Sequence, residues 1–177
     1  MKKNACTVIL LGALTVLSAC GANPATSGNP ASGSSQANIK ISTQGSLASG
    51  TKIGGINVTL NLPPGVTVKA SPDSAKPTVL VVNAGVVIPS GVDSTANVLT
   101  TAIYTPASGG EPGSVALTVV NANGFGIGEF VTITCDLAAD IQPAASDFNV
   151  TGPGIAIRDL NGASISGINA ALSMILQ

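Results

Sequence analysis

Ile56-Asn57-Val58-Thr59-Leu60-Asn61-Leu62 alternates large apolar and short polar side chains without a fault over seven positions. Side chains of a strand point to opposite faces at each step, so this period of two predicts a strand with one buried face. Pro63-Pro64-Gly65 then ends it, because proline lacks the N–H a ladder needs and the glycine permits a turn. The same grammar extends in both directions. Ile39 and Ile41 alternate with Lys40 and Ser42, and Val66 to Val68 resumes briefly after the break. Val98–Tyr104, Val115–Val120 and Glu129–Leu137 are further strands, the last with Val131, Ile133, Cys135 and Leu137 on one face. Val79 to Ile88 is apolar at nearly every position and reads as a strand buried between two layers. Phe148–Val150, Ile155–Ile157 and Ile165–Ile168 complete the set, while Ala170–Leu176 fits either a closing strand or a short helix. About nine strands, separated by turns and without a long helix, predict an all-β antiparallel sandwich over residues 38–177.

Composition agrees with that reading. Charged residues are 8% of the chain, and 21 glycines and 11 prolines supply turn material rather than helix. The formal net charge is −1 and becomes more acidic once Lys2 and Lys3 are set aside, so there is no basic stripe for nucleic acid. Residues 20–37 hold no large apolar side chain after Cys20 and read as a flexible linker, with a reach on the order of 20–25 Å.

The N-terminus carries an address. Lys2 and Lys3 precede an apolar run from about Ala5 to Val16 that is too short to span a bilayer, and Leu17-Ser18-Ala19-Cys20 closes it. That closing motif resembles the bacterial lipobox. The resemblance implies that residues 1–19 are a removable signal peptide and that the Cys20 thiol takes a diacylglyceryl group. Membrane attachment would then run through Cys20. Gly21, in place of an aspartate, implies sorting to the outer membrane or cell surface. Cys6 would leave with the leader and Cys20 is committed to lipid, so Cys135 is expected to form no intrachain disulfide.

Gly113-Ser114-Val115-Ala116-Leu117-Thr118-Val119, followed by Gly126-Ile127-Gly128-Glu129-Phe130-Val131-Thr132-Ile133, is similar to the middle of cohesin modules. Ile53–Leu60 resembles the second strand of that family, and Asp159-Leu160-Asn161-Gly162 resembles its final hairpin. The resemblance implies a nine-stranded jelly-roll sandwich, an architecture shared with several carbohydrate-binding modules. Cys135 departs from the pattern where an aromatic is commoner, and the chain carries no dockerin-like segment.

Residues for common chemistries are missing. There is no histidine, which excludes Ser-His-Asp and Cys-His catalysis and histidine-ligated zinc. Ser49-Gly50-Thr51-Lys52 spells S-x-x-K but sits in a glycine-rich connection rather than on a helix, and its companion motifs are absent. Gly124-Phe125-Gly126-Ile127-Gly128 leads into a strand, so no helix N-terminus awaits a phosphate. Among the carboxylates only Glu129 and Asp136 share a strand, and their seven-residue spacing predicts opposite faces. Asp159-Leu160-Asn161-Gly162 reads as an Asn-Gly hairpin turn rather than a calcium loop.

The expectation is a noncatalytic lipoprotein without cofactor or metal, presenting a sandwich to a protein partner or an extracellular polysaccharide. The alternative is a structural envelope lipoprotein that stabilises a larger assembly. Tyr104 is the one candidate for stacking against a sugar ring, since the chain has no Trp and a single Tyr. Asn57, Thr59 and Asn61 on one strand, and Thr132 and Thr134 on another, offer flat hydrogen-bonding faces. In cells, Cys20→Ala is expected to shift the chain from the membrane pellet to the soluble fraction; retention in the pellet would refute the anchor.

Overall fold

The computed structural model describes residues 35–94 and 97–177. The expected signal peptide (residues 1–19), the expected lipid site Cys20 and residues 21–34 of the expected linker lie outside the described residues. Twelve strands occur among those described: β1 (Gln36–Gln44), β2 (Ile53–Leu62), β3 (Val66–Thr67), β4 (Ala70–Pro72), β5 (Leu80–Val82), β6 (Val87–Pro89), β7 (Val98–Thr105), β8 (Gly113–Phe125), β9 (Glu129–Leu137), β10 (Asn149–Asp159), β11 (Ser164–Ile165) and β12 (Asn169–Leu176). A five-stranded sheet runs β12-β1-β9-β3, with β6 also on β9; a seven-stranded sheet runs β11-β10-β2-β8-β7-β5-β4. All pairings between these strands are antiparallel.

Alternation builds the core. Ile56, Val58, Leu60 and Leu62 of β2 and Val115, Leu117 and Val119 of β8 point inward from the larger sheet. They meet Ile39 and Ile41 of β1 and Val131, Ile133 and Cys135 of β9 from the smaller one in a single buried cluster. The fold is therefore the antiparallel β-sandwich that the two-residue period predicts.

Two details differ from the sequence reading, and one alternative it left open is decided. Strand β1 begins at Gln36, so Gln36 and Ala37 belong to the sheet rather than the linker; Ala37 lies fully buried opposite Cys135. Val79–Ile88 is not one buried strand. Its chain turns at Asn83–Val86, where Gly85 takes φ +81° and Val86 N–H donates to the Asn83 carbonyl at 3.2 Å. The segment thereby crosses from the larger sheet (β5) to the smaller (β6), leaving Val81 and Ile88 exposed. Ala170–Leu176 is a strand, since Ala170, Leu172 and Met174 face inward opposite Thr43, Ile41 and Ile39 of β1.

The third strand-level surprise is a bulge. Ile41 pairs with Val131 and Ser42 with Glu129, which leaves Phe130 as the extra residue. Phe130 and Val131 both turn inward and are fully buried, with the Phe130 ring 6.4 Å from that of Phe125. The inserted residue reverses the parity between Glu129 and Asp136. Both carboxylates therefore lie on the outer face, contrary to the expectation from spacing. Six residue steps along β1 still separate their partners Ser42 and Gln36, about 20 Å of strand, so the two carboxylates form no joint site.

Truncating Phe130 at the bulge removes a fully buried ring. Phe130→Ala is expected to cost about 3–5 kcal/mol in urea unfolding with an unchanged m-value; a cost under about 1 kcal/mol would show that the site collapses without it.

Candidate functional site

Cross-strand register arranges the outer face of the seven-stranded sheet in rows. Arg158, Gly55, Val120 and Leu99 form one row across β10, β2, β8 and β7. Ala156, Asn57, Thr118 and Thr101 form the next, and Thr59, Ala116, Ile103 and Val81 a third that reaches β5. Asn61, Ser114 and Thr105 make the fourth. Apolar side chains thus collect toward β8, β7 and β5. Leu99 is 64% exposed, Ile103 47%, Val120 42% and Val81 37%. With strands about 4.8 Å apart and same-face residues about 6.7 Å apart, the four side chains span roughly 10 Å by 13 Å, as two adjacent pairs (Val120 with Leu99, Ile103 with Val81) on either side of the Thr118–Thr101 row.

Gly55 opens a notch beside this patch. A Cβ there would meet only the Val119 carbonyl at 3.6 Å and Val120 Cγ2 at 3.8 Å, ordinary contacts, so close packing does not demand the glycine. The resulting groove of about 480 Å³ is bordered by Asn57, Val120, Arg158 and Leu160. Arg158 Nη1 donates to the Gly162 carbonyl (3.0 Å) and Ser164 Oγ (3.1 Å), which braces the guanidinium at the groove wall. The neighbouring Gly54 has no such freedom, since its Cβ would sit 2.7 Å from the Asp159 carbonyl oxygen.

The sequence-selected residues divide between two faces. Asn57, Thr59 and Asn61 share the outer face of the larger sheet with the apolar patch, and Thr118 Oγ1 donates to Asn57 Oδ1 at 2.6 Å. Thr132 and Thr134 lie on the outer face of the smaller sheet, so the two groups form no common site. There each hydroxyl is engaged. Thr132 donates to Ser90 Oγ (3.0 Å) and Thr134 to Asn38 Oδ1 (3.0 Å), beside the Lys40–Glu129 ion pair at 3.0 Å and the Gln36–Asp136 hydrogen bond at 3.0 Å. Tyr104 occupies the core-facing row of β7, half-buried against the core, and burial raises its phenol above the usual value. Leu99, Ile103, Val120 and Val81 were not among the residues that spacing selects. Their signal is present in the chain: Leu99 and Ile103 put large apolar residues on the face of β7 opposite Val98, Ala102 and Tyr104, and Val119-Val120 does so on β8.

Elsewhere, polar groups serve the scaffold. Asp73, Asp147 and Asp159 each accept backbone N–H bonds within their own turns, at 2.7–2.9 Å. Burial pushes the Cys135 thiol up to about 12, so it stays protonated and packs as a small hydrophobe. No three Asp, Glu or Cys side chains converge to hold a metal among the described residues. Asp93 ends a short 3-10 helix (Gly91–Asp93) and is fully buried; Asn121 Nδ2 donates to its Oδ1 at 2.6 Å, while Oδ2 has no hydrogen-bond partner. Desolvation raises this carboxyl above its ordinary 3.8, against the smaller opposing effect of Asn121. Glu129 moves the other way, lowered by hydrogen bonds from Ser90 and Lys40.

No family model matches this chain, and no curated protein matches it. Among solved structures, a non-cellulosomal cohesin from the hyperthermophilic archaeon Archaeoglobus fulgidus aligns with a TM-score of 0.46 and 17% identity, over 76% of this chain and 75% of that chain. The sandwich assignment stands on the strand pairing itself.

The two shifted carboxyls act with opposite sign on stability. Asp93, raised in the fold, contributes most below 3.8 and loses that contribution as pH climbs through its folded value. Glu129, lowered in the fold, contributes above 4.5 and loses it on acidification. Asp93→Asn is therefore expected to raise Tm over wild type at neutral pH, with the gain shrinking toward pH 3.5. A difference that does not vary with pH would show that the buried carboxyl carries no such linkage.

Proposed function

We propose that this chain is a noncatalytic protein-binding module, held at the envelope membrane through lipid on Cys20, and that its recognition surface is the outer face of the seven-stranded sheet. The observation that carries this reading is the exposure of Val81, Leu99, Ile103 and Val120 as two cross-strand pairs on one sheet face. Covering these four large apolar side chains with a partner removes them from water without breaking a hydrogen bond, and an apolar centre with a polar rim is how protein interfaces are built. Asn57, Thr59 and Thr118 supply such a rim, and the Gly55 notch admits a protruding side chain beside Arg158. A matching partner presents apolar side chains flanked by a carboxylate. The cohesin resemblance of the strand motifs is in keeping with protein recognition. The linker would let the sandwich turn freely within tens of ångströms of the bilayer.

A polysaccharide ligand is the second reading. What favours it is a depression of about 530 Å³ at one end of the sandwich, where Asn61, Gln142, Asp147 and Asn149 stand among Pro63 and Pro143.

Photo-crosslinking from position 103 in intact cells tests the first reading. A discrete adduct with one protein is expected, and Leu99→Ser with Ile103→Ser should weaken binding of that protein by roughly 30-fold or more, as loss of about 2 kcal/mol of anchor contacts implies. Absence of an adduct, or affinity unchanged in the double variant, overturns the assignment. Ligand binding that survives both changes but fails on substitution of Asn149 moves the site to the end of the sandwich.

A further inference from the structure

Sheet edges are where a strand's spare backbone groups meet solvent, and folded chains blunt them with short strands, prolines, charges or bulges. Three of the four edges here are blunted. The edge formed by β3 and β6 consists of two- and three-residue strands, with Pro64 just ahead of one and Pro89 closing the other. Strand β4 is three residues long, follows Lys69 and ends in Pro72. Strand β11 has two residues beside the Arg158–Asp159 hairpin.

The fourth edge, β12, has none of these devices. Asn169-Ala170-Ala171-Leu172-Ser173-Met174-Ile175-Leu176 contains no charge, proline or glycine, and among the described residues it pairs only with β1. Gln36 and Gln177 exchange both backbone hydrogen bonds, at 3.5 and 2.9 Å. Antiparallel alternation then gives Ile175, Ser173 and Ala171 their bonds to β1. It turns the N–H and C=O groups of Ala170, Leu172, Met174 and Leu176 toward the open edge. The same four residues face the core, yet Ala170, Leu172 and Met174 are only half-buried and Leu176 is 37% exposed. The five-stranded layer thus stops before its own inner row is covered.

We propose that the free edge of β12 pairs antiparallel with the same edge of a second copy of this chain, joining two five-stranded sheets across a two-fold axis. A second β12 meets every requirement of the edge. It is extended, uncharged and of equal length, so like copies approach without repulsion. Its own inner row of Ala170, Leu172, Met174 and Leu176 continues the apolar layer that the first copy leaves open. Two-fold symmetry matches donors to acceptors, because each copy offers the same alternating set. An eight-residue edge buries an area on the order of 1,000 Å² in total, the low end for stable interfaces, which predicts a reversible dimer in roughly the micromolar range.

Sedimentation equilibrium of the full-length chain in detergent, together with residue-resolved amide exchange, tests the pairing. The expected result is a monomer–dimer equilibrium in which the Leu172 and Met174 amides become roughly tenfold more protected as concentration rises, while surface-loop amides do not change. Met174→Lys, an inward-pointing charge at the edge, is expected to abolish the dimer and leave the circular dichroism of the monomer intact. A monomer at all concentrations overturns the proposal, as does a dimer in which these amides exchange as they do in the monomer. Protection that appears only when envelope extract is added, at constant concentration of this chain, replaces the second copy with another protein. The wild-type exchange measurement decides the question even if Met174→Lys fails to fold.

Discussion

The bulge at Phe130 is the constraint on which the smaller sheet depends. Strand β9 pairs with β1 on one side and with β3 and β6 on the other, so its register sets that of its neighbours. One extra residue places Phe130 and Val131 side by side in the core and turns Glu129 outward onto Lys40. The segment after β6 must then press close: Ser90 N–H donates to the Phe130 carbonyl at 3.0 Å, and a Cβ on Gly91 would fall 2.3 Å from the Glu129 carbonyl oxygen. Only glycine fits there, at φ +57°. That approach starts the short helix that buries Asp93 against Asn121, so a titratable group in the interior is a consequence of strand register.

The two outer faces have divided their chemistry. On the smaller sheet, cross-strand pairs satisfy one another: Lys40 with Glu129, Asn38 with Thr134, Gln36 with Asp136. Each pair contributes modestly, since exposed pairs of this kind are worth well under about 1 kcal/mol, but together they leave few polar groups seeking a partner. The larger sheet instead shows apolar side chains to water along β8, β7 and β5 and leaves a notch at Gly55. A surface that is internally satisfied has little to gain from a partner. The larger sheet's surface is the one with free energy left to release on binding.

Stability and the two proposed contacts therefore draw on different strands. Core rows of β1 and β2 are buried throughout and those of β8 and β9 are buried except near their ends, whereas β5, β7 and β12 are apolar on both faces or buried on neither. Strands of the second kind complete the sheets but keep unspent surface, which is where both proposed contacts arise.

Periodicity alone determined the class of fold. Each step along a strand reverses the side-chain direction, so Ile56-Val58-Leu60-Leu62 and Val131-Ile133-Cys135 could be assigned to a core without coordinates. Turn residues marked most of the boundaries for the same local reason. Parity counting failed at Glu129 and Asp136 because a bulge is set by what lies across the ladder, and spacing within one strand carries no record of it. Val79–Ile88 misled because an apolar run reads alike whether it is buried between sheets or crosses from one to the other. The exposed patch was legible only in part: alternation puts Leu99 and Ile103 on the second face of their strand but does not say what covers that face. Leu99, Ile103 and Val120 are ordinary strand residues in the chain, and only the tertiary structure decided that no layer covers them, since burial is a property of what packs on the other side.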